Sequence, residues 1–223
     1  REQILLVESR DWTADALTAD RVAAMQAFRD LFSDAVLRPG DEVGIAHVTL
    51  MFTDLKGSTA MYSRAGDASA YHRVREHFAF LARVVRENNG AVVKTIGDAV
   101  MAAFSEPADG VRAALAIQRN IAGLNAADAG EPLVIRLGLH GGPCIAVTLN
   151  QRLDYFGSTV NLAARLQGQS AGGDVVLSAA LAADPAVAEL LGATPRADEV
   201  APIRGFPDPV GFCRLAVDAV VTT

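Results

Sequence analysis

Ala91-Val92-Val93-Lys94-Thr95-Ile96-Gly97-Asp98-Ala99-Val100-Met101-Ala102-Ala103-Phe104 is two apolar runs around a short polar tip. Runs of this length about a glycine turn read as a β-hairpin, with residues 91–94 and 99–104 as arms and 95–98 as tip. The hairpin makes an antiparallel sheet the frame of the fold. It places Asp98 at the tip and Lys94 at the end of one arm.

Upstream, His47 to Thr53 is a largely apolar run ending at Asp54, which predicts a strand covered on both faces. Gly57-Ser58-Thr59 then opens a short helix. Asp67 is expected to cap a longer helix with Tyr71, Val74, Phe78, Leu81 and Val85 on its buried side, ended by Asn89-Gly90. Downstream, a helix starts at Pro107. Leu133 to His140 reads as a strand, and Pro143 to Leu149 as its antiparallel neighbour. Gly157 leads into a helix, 174–177 is a strand, 179–191 a helix, and Ile203 and Phe212 to Val217 give the last strands. This order predicts an α+β domain with helices packed on one side of a mainly antiparallel sheet.

Residues 1–45 read as a separate N-terminal segment ahead of a compact domain over 46–223. Gln3 to Val7 suggests a short strand, and Thr13 or Asp15 can cap a helix with an apolar stripe of Leu17, Val22, Met25, Phe28, Leu31 and Phe32. Such a stripe suits either a signalling coil that pairs with its copy or a helix folded back on its own domain. The chain begins with Arg1 rather than Met. It is therefore expected to be a piece of a longer protein, with room for an upstream regulatory domain.

The 223 residues suit one α/β domain with an appendage, and a hydrophobic fraction of 51% is ample for a core. The net charge of −6 and the lack of a dense Lys/Arg block argue against nucleic acid or an anionic membrane as main partner. No apolar run is long enough to cross a bilayer and no signal peptide is visible, so a cytoplasmic location is expected. Cys144 and Cys213 match no metal-ligand spacing and read as reduced, buried thiols.

Asp54 and Asp98 each stand beside a turn at a strand end. Brought together, two such carboxylates can hold a pair of hard divalent cations, an arrangement suited to phosphoryl transfer. Free backbone N–H groups around Gly57, Ser58 and Thr59 can hold phosphate oxygens. Adenine presents an acceptor at N1 and a donor at its amino group. Lys94, donor-only, and Asp154, acceptor-only when ionised, fit that edge, whereas guanine reverses it. Asn161 and Arg165 are four apart and share a helix face. Arg136 stands among Ile135, Leu137 and Leu139, where an arginine needs an anion nearby or an edge position. Each of these residues other than Arg136, taken singly, also fits a plain turn, loop or solvated-face role.

Four ordered runs together resemble the catalytic domain of class III adenylyl/guanylyl cyclases. They are Phe52-Thr53-Asp54-Leu55-x-Gly57-Ser58-Thr59, Lys94 to Ala102, Arg136-Leu137-Gly138-Leu139-His140-x-Gly142-Pro143, and Asp154-x-x-Gly157-x-x-Val160-Asn161-x-Ala163-x-Arg165-Leu166. The resemblance covers roughly residues 45–217 and implies a ferredoxin-like core in a head-to-tail homodimer with both active sites at the interface. It assigns Asp54, with its neighbour Leu55, and Asp98 to two Mg²⁺ or Mn²⁺ ions. It assigns Lys94 and Asp154 to adenine, Asn161 and Arg165 to the transition state, and Arg136 to phosphate. Arg204 falls where a triphosphate-binding cation often sits. Two departures stand out: Ile145 to Asn150 lacks glycines common there, and Leu153 occupies an often aromatic position.

The expected activity is conversion of ATP to 3′,5′-cyclic AMP and pyrophosphate. Rival readings are a guanylyl cyclase, a nucleotide-binding regulatory module without turnover, and a polymerase-like palm. The last is disfavoured by the lack of a basic template groove.

Overall fold

The computed structural model describes residues 17–32, 37–38, 41–126 and 131–217. The strand expected at Gln3–Val7 and the caps at Thr13 or Asp15 lie outside them. Among the described residues eight strands form one sheet: β1 (Glu42–Leu55), β2 (Ala91–Ile96), β3 (Ala99–Phe104), β4 (Ile135–Leu149), β5 (Arg152–Phe156), β6 (Asp174–Ser178), β7 (Arg196–Ala201) and β8 (Val210–Ala216). The order is β2-β3-β1-β4-β6-β8-β7, with β5 paired to β4 off this path. Among the described residues only the β4–β6 pair is parallel. The buried Gln118 bridges that parallel step, donating to the carbonyls of Ile135 at 2.9 Å and Asp174 at 2.8 Å.

Helices cover both faces of the sheet, not one. Successive strand residues point to opposite sides, so β1 feeds two cores. Met51 and Leu55 enter the larger one, beneath α3 (Ser58–Ala65), α4 (Asp67–Glu87), α5 (Pro107–Ala126) and α8 (Pro185–Leu191). Leu50 and Phe52 enter the other, with Leu153 and Tyr155 of β5 and Ala163 of α6 (Ser158–Gln167). Gly138 lets α6 lie directly on β4: a Cβ there would sit 2.0 Å from the Gln167 backbone nitrogen.

Several sequence expectations need correction. Pro143 to Leu149 is not a separate strand but continues β4. Gly141-Gly142-Pro143 reads like a turn, yet β1 absorbs it by a register shift between Ile45 and Val48. Proline, which has no N–H to donate, is tolerated at such a bulge. The antiparallel neighbour is β5, reached through Asn150 and Gln151, both with positive φ. The helix over 179–191 is two pieces, α7 (Ala179–Ala182) and α8. Asp184 caps the second by accepting from the Ala186 and Val187 N–H groups, with Pro185 in the first turn. Ile203 is buried in the connection after β7, not in a strand. Tyr71 is 70% exposed, while Val74, Leu81 and Val85 are buried as expected. Gly66, not Asp67, takes the cap place of α4.

The N-terminal stripe forms two short helices, α1 (Ala19–Ala23) and α2 (Gln26–Leu31), parted by an extended Met25. They lie against β1 and β2. Leu17, Met25, Leu31 and Phe32 remain exposed. Among the described residues no helix is long and apolar enough to cross a membrane.

Candidate active site

Asp54 is the penultimate residue of β1 and follows the side taken by Phe52. Arg136 is its partner across the β1–β4 ladder, with Nη1 3.8 Å from Oδ2. The side chain of Gln167, the last residue of α6, favours the ionised form of the same carboxylate. Asp98 occupies the two-residue turn closed by the Ile96–Ala99 pair, where Gly97 takes φ 63°. The last β1–β3 pair, Thr53 with Val100, brings this turn beside Asp54.

The two carboxylates repel each other. Burial, and then the Asp98 charge, push the Asp54 carboxyl above its ordinary range, against Arg136, Gln167 and the Leu55 N–H. Asp98 Oδ2 is buried without a hydrogen-bond partner. Two carboxylates that share one arginine, with a buried, unsatisfied oxygen on Asp98, fit a divalent cation. Among the described residues no group of three or more His, Cys, Asp or Glu gathers. The protein would therefore offer two carboxylates and the backbone carbonyl of Leu55, whose side chain is buried in the larger core. Mg²⁺ commonly takes its remaining positions from water and phosphate oxygens.

Gly57, at φ 76°, turns the chain from β1 into α3, and no side chain caps that helix. The first N–H groups at Ser58 and Thr59 are thus open to an anion. A cleft of about 310 Å³ lies alongside, lined by Leu55, Gly57, Ser58, Met61 and Arg64 among others.

Lys94 on β2 and Asp154 on β5 form a direct ion pair. Asp154 is buried, its Oδ1 accepting from the Tyr155 N–H at 2.8 Å, while about a third of the Lys94 side chain is exposed. Asn161 and Arg165 are both exposed on α6. Arg204 is exposed between β7 and β8, at the sheet edge opposite β2. Among the described residues no hydrogen bond or ion pair links the Asp54–Asp98–Arg136 group with Lys94–Asp154.

Three further residues of this region carry little sequence signal. Gln167 has none beyond its place at a helix end. His77 is fully buried on α4, with its pKa lowered to about 4 by burial, against the Asp98 carboxylate and backbone. The Tyr62 phenol is pushed up by burial and by Asp98. His77 falls between Val74 and Leu81 on the buried stripe, and that spacing is the one available clue.

A family model of the adenylate and guanylate cyclase catalytic domain matches residues 42–184. An adenylate cyclase of Lachancea kluyveri is 32% identical over 173 residues, 67% of this chain and 9% of that protein. Across this and two further relatives, from Mycosarcoma maydis and Mycobacterium bovis, the chain spans between 6% and 35% of their length. The adenylyl cyclase CyaB from P. aeruginosa superposes with a TM-score of 0.70 at 21% identity, over 82% of this chain and 99% of that one. The guanylate cyclase domain of RhGC from Catenaria anguillulae, in complex with GTP, superposes at 0.68 with 22% identity, over 78% and 98%. These two structures share the fold.

Proposed function

Since the chain belongs to the adenylate and guanylate cyclase catalytic-domain family, we propose that it is an adenylyl cyclase. It would convert ATP to 3′,5′-cyclic AMP and pyrophosphate. The observation that carries this reading is the Lys94–Asp154 pair. Lys94 would donate to adenine N1, and Asp154 would accept from the amino group. Guanine presents a donor and an acceptor in the reverse order, leaving both side chains facing like groups. The adenylate cyclase of Lachancea kluyveri is in keeping with this choice.

The reaction is an in-line displacement. The ribose 3′-oxygen bonds to the α-phosphorus, the bond from that phosphorus to the bridging oxygen breaks, and pyrophosphate leaves with the electron pair. The hydroxyl proton is released. Gly57, Ser58 and Thr59 would hold phosphate oxygens through backbone N–H groups, and Arg136 and Arg204 would add positive charge. Arg165 would stabilise charge developing on the α-phosphate, and Asn161 would orient the ribose. Two divalent cations, Mg²⁺ or Mn²⁺, held by Asp54, Leu55 and Asp98, would neutralise the triphosphate and acidify the 3′-hydroxyl.

The proposal includes a homodimer. Exposure of Asn161 and Arg165 on α6 suits a site completed by a second copy. Residues 1–45 would connect the catalytic domain to an upstream regulatory input. The decisive experiment incubates the protein with ATP or GTP and Mg²⁺ or Mn²⁺ and identifies products by mass spectrometry. Cyclic AMP with pyrophosphate is expected from ATP, with GTP a poor substrate. Predominant cyclic GMP, or no cyclic product from either nucleotide, overturns the proposal.

A further inference from the structure

The two strands that carry Lys94 and Asp154 are both edge strands. β2 begins the sheet order, and β5 pairs only with β4. An edge strand has backbone groups that no neighbouring strand satisfies. One helix reaches both. The Val92 N–H, two residues before Lys94, donates to Gln26 Oε1 at 2.8 Å. The Leu153 carbonyl, one residue before Asp154, accepts from Arg29 Nη1 at 2.8 Å. Gln26 and Arg29 are three apart on α2 and so lie on one face. Donation from Gln26 Nε2 to Asp30 at 2.7 Å leaves Oε1 of the amide for Val92.

Arg29 is the stronger sign. It is a nine-tenths buried cation whose hydrogen bonds go to two backbone carbonyls, Leu153 and Ala23, the latter at 2.7 Å. Its guanidinium also lies 5.1 Å from the centre of the Tyr155 ring. Tyr155 in turn gives its N–H to Asp154. Arg29 therefore grips β5 on both sides of the base-reading carboxylate. A buried guanidinium used in this way holds backbone geometry rather than balancing charge.

We infer that α2 is a clasp that sets the separation of Lys94 and Asp154, making Gln26 and Arg29 positioning residues for base selection. The inference rests on the reading of Lys94 and Asp154 as the base-reading pair. It adds residues outside the matched domain, which begins at 42. The N-terminal segment would thereby act on substrate choice as well as on the attachment of the domain.

The test measures displacement of mant-labelled ATP by ATP and by GTP, alongside KM, kcat and melting temperature. The proteins are the wild type, Gln26→Ala, Arg29→Lys and Lys94→Ala, and each clasp variant combined with Lys94→Ala. Gln26→Ala and Arg29→Lys should weaken ATP binding about two- to tenfold, the worth of one hydrogen bond. They should narrow the preference for ATP over GTP by a similar factor, with kcat at saturating ATP unchanged. In the Lys94→Ala background they should add little, because they act through that pair. If Arg29→Lys does not fold, Gln26→Ala carries the same comparison. Clasp variants that lower the melting temperature yet keep the wild-type preference, while Lys94→Ala loses it, overturn the clasp and spare the base-reading pair. Effects that multiply with Lys94→Ala overturn it too. A Lys94→Ala protein with unchanged preference overturns the base-reading assignment, and the clasp with it.

Discussion

Arg136 and Asp54 face each other across the β1–β4 ladder, their charged groups 3.8 Å apart. The arginine that interrupts an apolar strand is thus the counter-charge of a carboxylate whose pKa is already raised by burial and by Asp98. Arg136→Gln should raise that pKa further and move the acidic limb of the pH–rate profile upward. It should also raise KM about ten- to a hundredfold, the worth of one charged hydrogen bond to phosphate. An unmoved acidic limb would separate Arg136 from Asp54.

Asp54→Asn and Asp98→Asn should each lower turnover about a hundredfold or more, as loss of an anionic ligand or transition-state contact does. The raised pKa has a second consequence. A raised folded pKa favours the protonated form, so its stabilising contribution is present at low pH and lost as the pH rises through that pKa. At neutral pH the ionised Asp54 therefore opposes folding, and Asp54→Asn should melt higher than wild type without metal. Adding Mn²⁺ should raise the wild-type melting temperature and leave that of Asp54→Asn little changed. Differential scanning fluorimetry with and without Mn²⁺ checks both; a lower metal-free melting temperature for Asp54→Asn contradicts the assigned repulsion.

Lys94→Glu with Asp154→Cys replaces the donor and acceptor read on adenine by groups better suited to guanine. ATP turnover should fall about five- to 150-fold, because two hydrogen bonds to the base disappear, each worth about 0.5–1.5 kcal/mol. Residual activity should lean toward GTP. Competition assays with both nucleotides decide; an unchanged preference removes the two residues from the base pocket.

An Asp54→Asn protein and a Lys94→Ala/Asp154→Ala/Arg165→Ala protein should each be nearly inactive. With free exchange about half of the dimers are mixed, each with one intact site, so roughly a quarter of wild-type activity should return. Wild-type specific activity should also fall on dilution. Subunit exchange seen by native mass spectrometry without cyclic nucleotide would falsify the shared site.

His77 predicts acid sensitivity. Its pKa falls from 6.5 to about 4 on burial. A lowered folded pKa gives stability present above pH 6.5 and lost as the pH falls toward 4. For one group the slope approaches about 1.4 kcal/mol per pH unit. His77→Leu should flatten this part of the profile. Urea midpoints of metal-free protein at about pH 7, 6 and 5 provide the comparison, and parallel curves for the two proteins would show that His77 is not held neutral.

Local signals are the legible ones. The 91–104 hairpin can be read because two apolar arms flank a glycine that needs positive φ. The facing of Asp54 and Arg136 is only half legible: an arginine among Ile135, Leu137 and Leu139 asks for an anion, but nothing in either strand says which one. Gly141-Gly142-Pro143 has the composition of a break, since the bulge that absorbs it belongs to the partner strand. Tyr71 falls on the exposed side because helical spacing marks a stripe without fixing its ends. The Lys94–Asp154 contact joins residues far apart in sequence, and it is suggested by their matching donor and acceptor chemistry and by the ordered family motifs. Nothing in α2 announces that Gln26 and Arg29 reach the strands beneath those two residues.

The central place of β1 also bears on how the molecule is made. Leu50 pairs with Ala103 on one side and His140 on the other. As the chain leaves the ribosome, the β2–β3 hairpin can close early, because its contacts are local. β1 must wait longer, with one apolar edge bare until β4 has been synthesised. Chains ending before β4 should therefore associate through that edge. Asp54 lies on the strand completed late, so the capacity for chemistry should arrive only with the whole sheet, and a nascent or truncated chain should consume no nucleotide.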